Sequence, residues 1–241
     1  MVHDPVCLMS IDPKQAARMT VYAGKTYYFC SENCKHRFQA SPNTYLHKAP
    51  AIQLAVGVMG SASNGLTQQA MAAAFRLGQV IAENNFALIT GACPGLPYEC
   101  ARGVFEANGL SVGISPALSL DEHAHKYHSP SDVYDVIIYT GSGLMGREVT
   151  NIRSSDMVVV VGGSSGTLGE FAIAYDEGKL IGVLEGSGGI TELIPQLVES
   201  FKKDTGAQLV YNTDPVQLIN ELKEVYSARH FHQPSCFCEA T

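Results

Sequence analysis

From residue 52 to residue 226 short runs of Val, Ile and Leu alternate with longer stretches of helical period, and this alternation limits the fold more than any single motif does. Predicted strands fall near 52–59, 86–90, 111–115, 134–139, 156–161, 180–184 and 207–211. Their apolar character, clearest in the run from Met157 to Val161, is what a strand buried on both faces requires. The pattern predicts an α/β domain with a mainly parallel sheet and helices on both faces. Leu66, Ala70, Ala73, Leu77 and Val80 form one helical stripe, and Ile194, Leu197, Val198 and Phe201 another. Asp214-Pro215, with Gln217 three residues after the Asp, is a capping-box start for a last helix whose stripe is Leu218, Leu222 and Val225.

Residues 1–48 have a different composition, with three Cys, three His, four of the 11 Tyr and no long aliphatic run. They are expected to form a small domain, followed by a larger one over 52–226 and a tail over 227–241, with the junction around Lys48-Ala49-Pro50-Ala51. Sixteen Lys+Arg against 23 Asp+Glu leave a net charge of −7, so no overall cationic field exists to attract a nucleic acid. No apolar run approaches the roughly 18 residues of a membrane span, and the N-terminus lacks a signal-peptide pattern, so the expected location is the cytoplasm, with no membrane partner. Seven Cys, at 7, 30, 34, 93, 100, 236 and 238, are then metal ligands or free thiols sooner than disulfides.

Cys30 and Cys34 lie four apart on a predicted helix and share a face, while Cys7 arrives from a separate loop. Three thiolates and one further donor make the tetrahedral set that zinc, or another soft divalent metal, favours. The fourth donor is open between His36, His3 and the Cys236-Phe237-Cys238 pair of the tail. Asp4-Pro5-Val6-Cys7, the stretch from Tyr22 to Cys34, and Phe38, Pro42 and Tyr45 resemble a YHS domain, a relative of the TRASH metal-binding modules. Leu8 stands where that pattern has Gly. The resemblance implies a small treble-clef-like metal module.

Three glycine-containing segments follow predicted strands: Gly57 to Ser63 with Gly60 and Ser61, Thr90-Gly91 to Gly95-Leu96, and Gly162 to Glu170. Glycine lets backbone turn sharply and approach a ligand, and its N–H groups join a helix N-terminus to hold an anion. Gly60, Ser61, Gly91, Gly95, Gly163, Ser164, Ser165, Gly166 and Thr167 are the expected contacts to a small phosphate-bearing ligand. Glu170 is expected on the first turn of a helix opened by Thr167, aimed at a ribose or base, with Arg147 pairing either phosphate or Glu170 itself. His123, His125 and His128 offer a polar lid, or less naturally a metal site.

Gly163-x-x-Gly166-Thr167-x-x-Glu170, preceded by Arg147 and Ser155-Asp156, resembles the signature of the Lonely Guy and lysine decarboxylase-like proteins of the SLOG superfamily. The run from Tyr139 to Asp156 is similar to the branch holding the molybdenum-cofactor carrier proteins. The resemblance implies a Rossmann-like fold and a homodimer or higher homo-oligomer, for which the small-residue face from Ala70 to Ala74 is the expected contact. It implies one of two functions. Arg147 and Glu170 would hydrolyse the N-glycosidic bond of a nucleoside 5′-monophosphate without a cofactor, or the pocket would carry or sense a molybdenum-cofactor-like or nucleotide-like anion. Gly162, Ser164 and Glu148 depart from the enzyme signature, the last replacing a Lys that often follows the Arg.

Overall fold

The computed structural model describes residues 2–7, 9–13, 16, 18–22, 24–45, 53–62 and 65–228. It divides into two units, Met1–Ile52 and Gln53–Thr241. The expectations for Cys236 and Cys238, for Ser63 and for the His3 side chain lie outside the described residues.

In the first unit β1 (Val2–His3) pairs antiparallel with β2 (Ser10–Ile11), and β3 (Arg18–Tyr22) with β4 (Lys25–Phe29). Helix α1 (Glu32–Ala40) is capped by Ser31, whose Oγ accepts from the Cys34 N–H at 3.2 Å, and α2 (Pro42–Tyr45) follows. Phe29 and Phe38 are fully buried, and the rings of Tyr22, Tyr27 and Phe29 surround Phe38. A core this small leaves such a unit dependent on a staple, by metal or disulfide.

The second unit runs β5 (Ala55–Gly60), α3 (Gln68–Glu83), β6 (Ala87–Thr90), α4 (Leu96–Glu106), β7 (Leu110–Ser115), α5 (Leu120–His125), β8 (Val136–Tyr139), α6 (Gly143–Arg153), β9 (Met157–Val161), α7 (Ser165–Asp176), β10 (Leu180–Leu184), α8 (Ile194–Phe201), β11 (Gln208–Asn212) and α9 (Pro215–Ala228). Every strand pairing is parallel, in the order β11-β10-β9-β5-β6-β7-β8. It is a Rossmann-like sheet with helices on both faces. Alternation along β9 divides the core: Met157, Val159 and Val161 join the side chains of α3, α4 and α9, and Val158 and Val160 join those of α6, α7 and α8. At the last helix Asp214 caps as expected, its Oδ1 accepting from the N–H of Val216 and Gln217, but the box does not close, because the Asp214 N–H donates to Asn212 Oδ1 and the Gln217 side chain accepts from Asn212 Nδ2.

Three expectations change. Leu66 precedes α3, whose cap is Thr67; it and Ala73 pack against the core at its edge, and Ala74 and Ile81 extend the buried stripe. The face from Ala70 to Ala74 is spent inside the chain, because Ala70 and Ala74 are buried and α3 packs closely on α4. Gly78 and Gly103 permit that approach, since a Cβ would sit 1.9 Å from the Cys100 carbonyl oxygen or 2.0 Å from that of Phe75. Finally, α7 opens at Ser165 with Ser164 as its cap, which puts Glu170 in the second turn.

Candidate functional site

The chain leaves β5 toward β6, β7 and β8 on one side, then returns to place β9 on the other side of β5. Such a reversal opens a crevice at the carboxyl ends of the two central strands. The loops after β5, β6 and β9 meet there around a cavity of about 350 Å³, within the range of small-molecule sites.

Backbone contacts lock the loops together. The Ser61 N–H donates to the Val161 carbonyl at 3.2 Å, and the Leu96 N–H donates to the Ser61 carbonyl at 2.9 Å. Gly95 has φ +83°, and a Cβ there would meet the Ser61 oxygen at 2.1 Å. Gly163 has φ +97°, and a Cβ would run into Thr167 at 2.4 Å. The turn at 186–190 braces the loop from behind: Ser187 Oγ accepts from the Gly162 N–H at 2.8 Å, and the Ile190 N–H donates to the Gly163 carbonyl at 3.0 Å. Gly95 and Gly163 thus shape the site without lining it, whereas Gly60, Ser61, Gly91, Ser164, Ser165, Gly166 and Thr167 line it. The first amides of α7 have no intrahelical acceptor and give this wall an anion-favouring field.

Helices α6 and α7 supply the charged groups. Arg147 is 8% exposed, with its guanidinium against Gly91 and Nη1 donating to the Ile114 carbonyl at 2.9 Å. Its Nε has no partner, and neither has the buried Asn151 Oδ1. Glu170 is also buried, and its Oε1 accepts from Asn151 Nδ2 at 3.5 Å. Burial pushes the Glu170 carboxyl up to about 7; Glu148 adds to the rise, and Arg147 and Asn151 oppose it. Glu148 lines the cavity too, its carboxylate lying against Gly169, and burial raises it against the pull of Arg147. Among the described residues no ion pair joins Arg147 to Glu170, so the pairing offered by the sequence is replaced by Arg147–Ile114 and Asn151–Glu170.

The sequence reading did not assign three participants. Asn151 lies four residues after Arg147 and three after Glu148, one helical turn from each, a signal available in the sequence. Cys93 lines the cavity from the loop after β6. The histidine lid is a correction: His123 is fully buried in the fold, with Nδ1 2.8 Å from Ser115 Oγ and Nε2 3.1 Å from the Pro130 carbonyl. Since a carbonyl only accepts, Nε2 is the donor in the second contact. His125 is exposed beside Asp121.

In the first unit Asp4, Cys7, Cys30 and Cys34 place their ligand atoms within 4.8 Å of one another. Cys7 Sγ lies 3.5 Å from Cys30 Sγ, which lies 3.7 Å from Cys34 Sγ. A tetrahedral ion with bonds of about 2.3 Å has ligand edges of about 3.7 Å, so the sulfurs suit a soft metal. Asp4 is the acidic member that the sequence reading overlooked. It accepts from the N–H of Val6 and Cys30 at 2.8 Å and of Cys7 at 3.4 Å, tying the two cysteine segments together. Burial works against its charge, but those N–H groups and the two thiols prevail and hold its carboxyl below the ordinary range. The same carboxylate, followed by the Cys7 sulfur, pushes the Cys30 thiol up to about 12, a penalty that a bound cation offsets. His36 lies instead 3.6 Å from Glu32 and is exposed.

A Rossmann-like sheet with a cavity at its switch point and, in a small separate unit, a cysteine cluster define the class of chain. The chain belongs to the SLOG cluster4 family, whose model matches residues 53–219, and residues 2–49 match the YHS domain. It is 34% identical over 130 residues to an uncharacterized protein of Archaeoglobus fulgidus, covering 54% of this chain and 79% of that protein. Its N-terminal part is 41% identical over 46 residues to a copper-transporting P-type ATPase of Rhizobium leguminosarum bv. viciae, 19% of this chain but 6% of the ATPase. Among solved structures it is similar to the molybdenum cofactor binding protein of Rippkaea orientalis, with TM-score 0.58 and 30% identity over 72% of this chain and 97% of the other. The molybdenum cofactor carrier protein of Chlamydomonas reinhardtii gives TM-score 0.59 and 26% identity over 73% and 99%. No helix among the described residues is long and apolar enough to cross a membrane.

Proposed function

We propose that the larger unit binds and carries a small phosphate-bearing anion of the molybdenum-cofactor or nucleotide type. One observation carries this reading: a buried guanidinium with a donor to spare stands beside the N-terminus of α7, in a cavity assembled from three interlocked glycine loops. Gly163 shapes the cradle, Ser164 to Thr167 supply its donors, and Arg147 takes the remaining charge. Glu148 lines the cavity where the enzyme signature often has a Lys, so the cation that would follow Arg147 beside the phosphate is missing here. The likeness to two molybdenum-cofactor proteins supports the same ligand class.

A second reading, hydrolysis of nucleoside 5′-monophosphates, is favoured by Glu170, a buried carboxyl poised near neutrality as acid/base chemistry requires. Calorimetry with AMP, paired with chromatography for released adenine, separates the two. The carrier reading expects binding and no base over hours. Base release that Glu170→Gln abolishes would replace it with the hydrolase.

The N-terminal unit holds, in this proposal, one zinc-like soft ion through Cys7, Cys30 and Cys34. The ion's part is structural, closing a core too small to stand alone. Self-association belongs to the proposal as well. Exposed Leu144 and Met145 at the cavity mouth, with exposed Leu118 against the nearby Gly141, form an apolar rim that a second copy can cover.

A further inference from the structure

The loop after β6 does more than turn the chain. Thr90 Oγ1 accepts from the Ala92 N–H at 3.0 Å and meets the Tyr134 hydroxyl at 3.0 Å. Ala92 is fully buried with φ +48°. The next residue, Cys93, therefore stands at the cavity wall and keeps partial exposure, while Cys100, one turn into α4, is fully buried. Burial raises the Cys93 thiol, the Arg147 guanidinium beside it pulls it back, and Glu170 adds to the rise. At rest this is a neutral thiol that repels no anion. A second observation lies at the same cavity: Arg147, more than nine-tenths buried, lines it, and its Nε has no partner. The two side chains offer one face for negative charge and another for a soft, polarisable centre.

We propose that Cys93 is a ligand-contacting thiol, and that the cavity is a two-point site for an anion bearing a thiol-seeking centre, with Arg147 taking the charge and Cys93 Sγ bonding the soft atom. This rests on the anion-binding reading above and adds the chemical class of the ligand. The thiol gives up its proton to solvent only when that bond forms, so an anion without a soft centre is held by charge alone.

The test compares iodoacetate with iodoacetamide on the full-length protein, following Cys93 by peptide mass spectrometry over time. In both reactions the carbon–sulfur bond forms, the carbon–iodine bond breaks, iodide leaves and the thiol proton passes to solvent. The reagents differ by one carboxylate. Their rate ratio at Cys93, divided by the ratio at free glutathione, therefore reads the charge preference of the site. The expected preference for iodoacetate is about tenfold or more, falling to about onefold in Arg147→Gln. A normalised ratio within about twofold of one in the wild type, or labelling no faster than at buried Cys100, overturns the proposal. By calorimetry inorganic pyrophosphate, which has the charge but no soft centre, is expected to bind the wild type and to lose about tenfold or more in Arg147→Gln. Binding undiminished in that variant would overturn Arg147 as the charge point of the site. Wild-type protein that keeps the iodoacetate preference yet binds no pyrophosphate would sink the phosphate reading and leave the thiol assignment standing.

Discussion

Replacing Gly91 by Ala tests how Arg147 is held. A Cβ at 91 would lie 2.4 Å from Arg147 Nη1, 2.6 Å from Cζ and 2.7 Å from Nη2, where ordinary contact begins near 3.4 Å. The guanidinium must retreat by about 1 Å, and its 2.9 Å bond to the Ile114 carbonyl is then too long to count. Losing a buried hydrogen bond to a charged group costs roughly 1.5–3 kcal/mol. At roughly 2–4 °C per kcal/mol for a unit of this size, the unfolding midpoint should fall by roughly 3–12 °C. Moving the charge should also weaken AMP binding by about tenfold or more. Gly166→Ala is the internal control, because its Cβ meets only Glu148 Oε1, at 3.9 Å, and its midpoint should stay near that of the wild type. Thermal melts with calorimetric titration read both effects. A Gly91→Ala protein that melts within about 1 °C of wild type and binds AMP unchanged would refute the account of Arg147 as a guanidinium pinned against Gly91.

Other expectations follow from the two sites. Purified protein should carry about one metal ion per chain, and Cys30→Ser with Cys34→Ser should remove it; unchanged metal by elemental analysis ends that assignment. Glu170 titrates near 7 when folded against an ordinary 4.5, so the folded state holds the extra proton between those values. The stabilisation is full below the unfolded value and is lost as pH rises toward 7. Glu170→Gln should therefore gain stability relative to wild type on going from pH 5 to pH 8, by up to about 3 kcal/mol, and a gap that does not widen with pH counts against the burial of this carboxyl. Light scattering should show a particle larger than the 25.8 kDa chain, and Leu144→Glu with Met145→Glu should dissociate it; a monomer at all practical concentrations removes the rim as a contact.

The fold was legible because buried parallel strands leave a coarse signature: runs such as Met157 to Val161 have no place on a surface. All three glycine loops came together for a related reason, since parallel strands put every strand-to-helix loop on one edge of the sheet. Pairwise geometry was hidden. Nothing in the sequence says that Arg147 spends Nη1 on the Ile114 carbonyl, or that Asn151 reaches Glu170, because those contacts depend on how α6 sits across the sheet. The Ala70–Ala74 face misled for the same reason. A stripe of small residues fits any close partner, and α4 within the chain takes that place. Asp4 escaped because its value lies in three backbone N–H groups, which carry no residue letter.

The central place of β5 has a consequence for the order of folding. Its neighbours β6 and β9 are separated by the stretch 91–156, about a third of the unit's sequence, and the first and third glycine loops ride on the seam between β5 and β9. As the chain is synthesised, β5 to β8 can pair through local crossovers while the other edge of β5 has no strand to meet. During that interval an apolar central strand is a bare edge, the most aggregation-prone state the unit passes through. The arrival of β9 closes the edge and builds the cavity in one event. A ligand present at that moment favours the closed sheet by mass action, so it would act as a folding aid for the strand order that creates its own site.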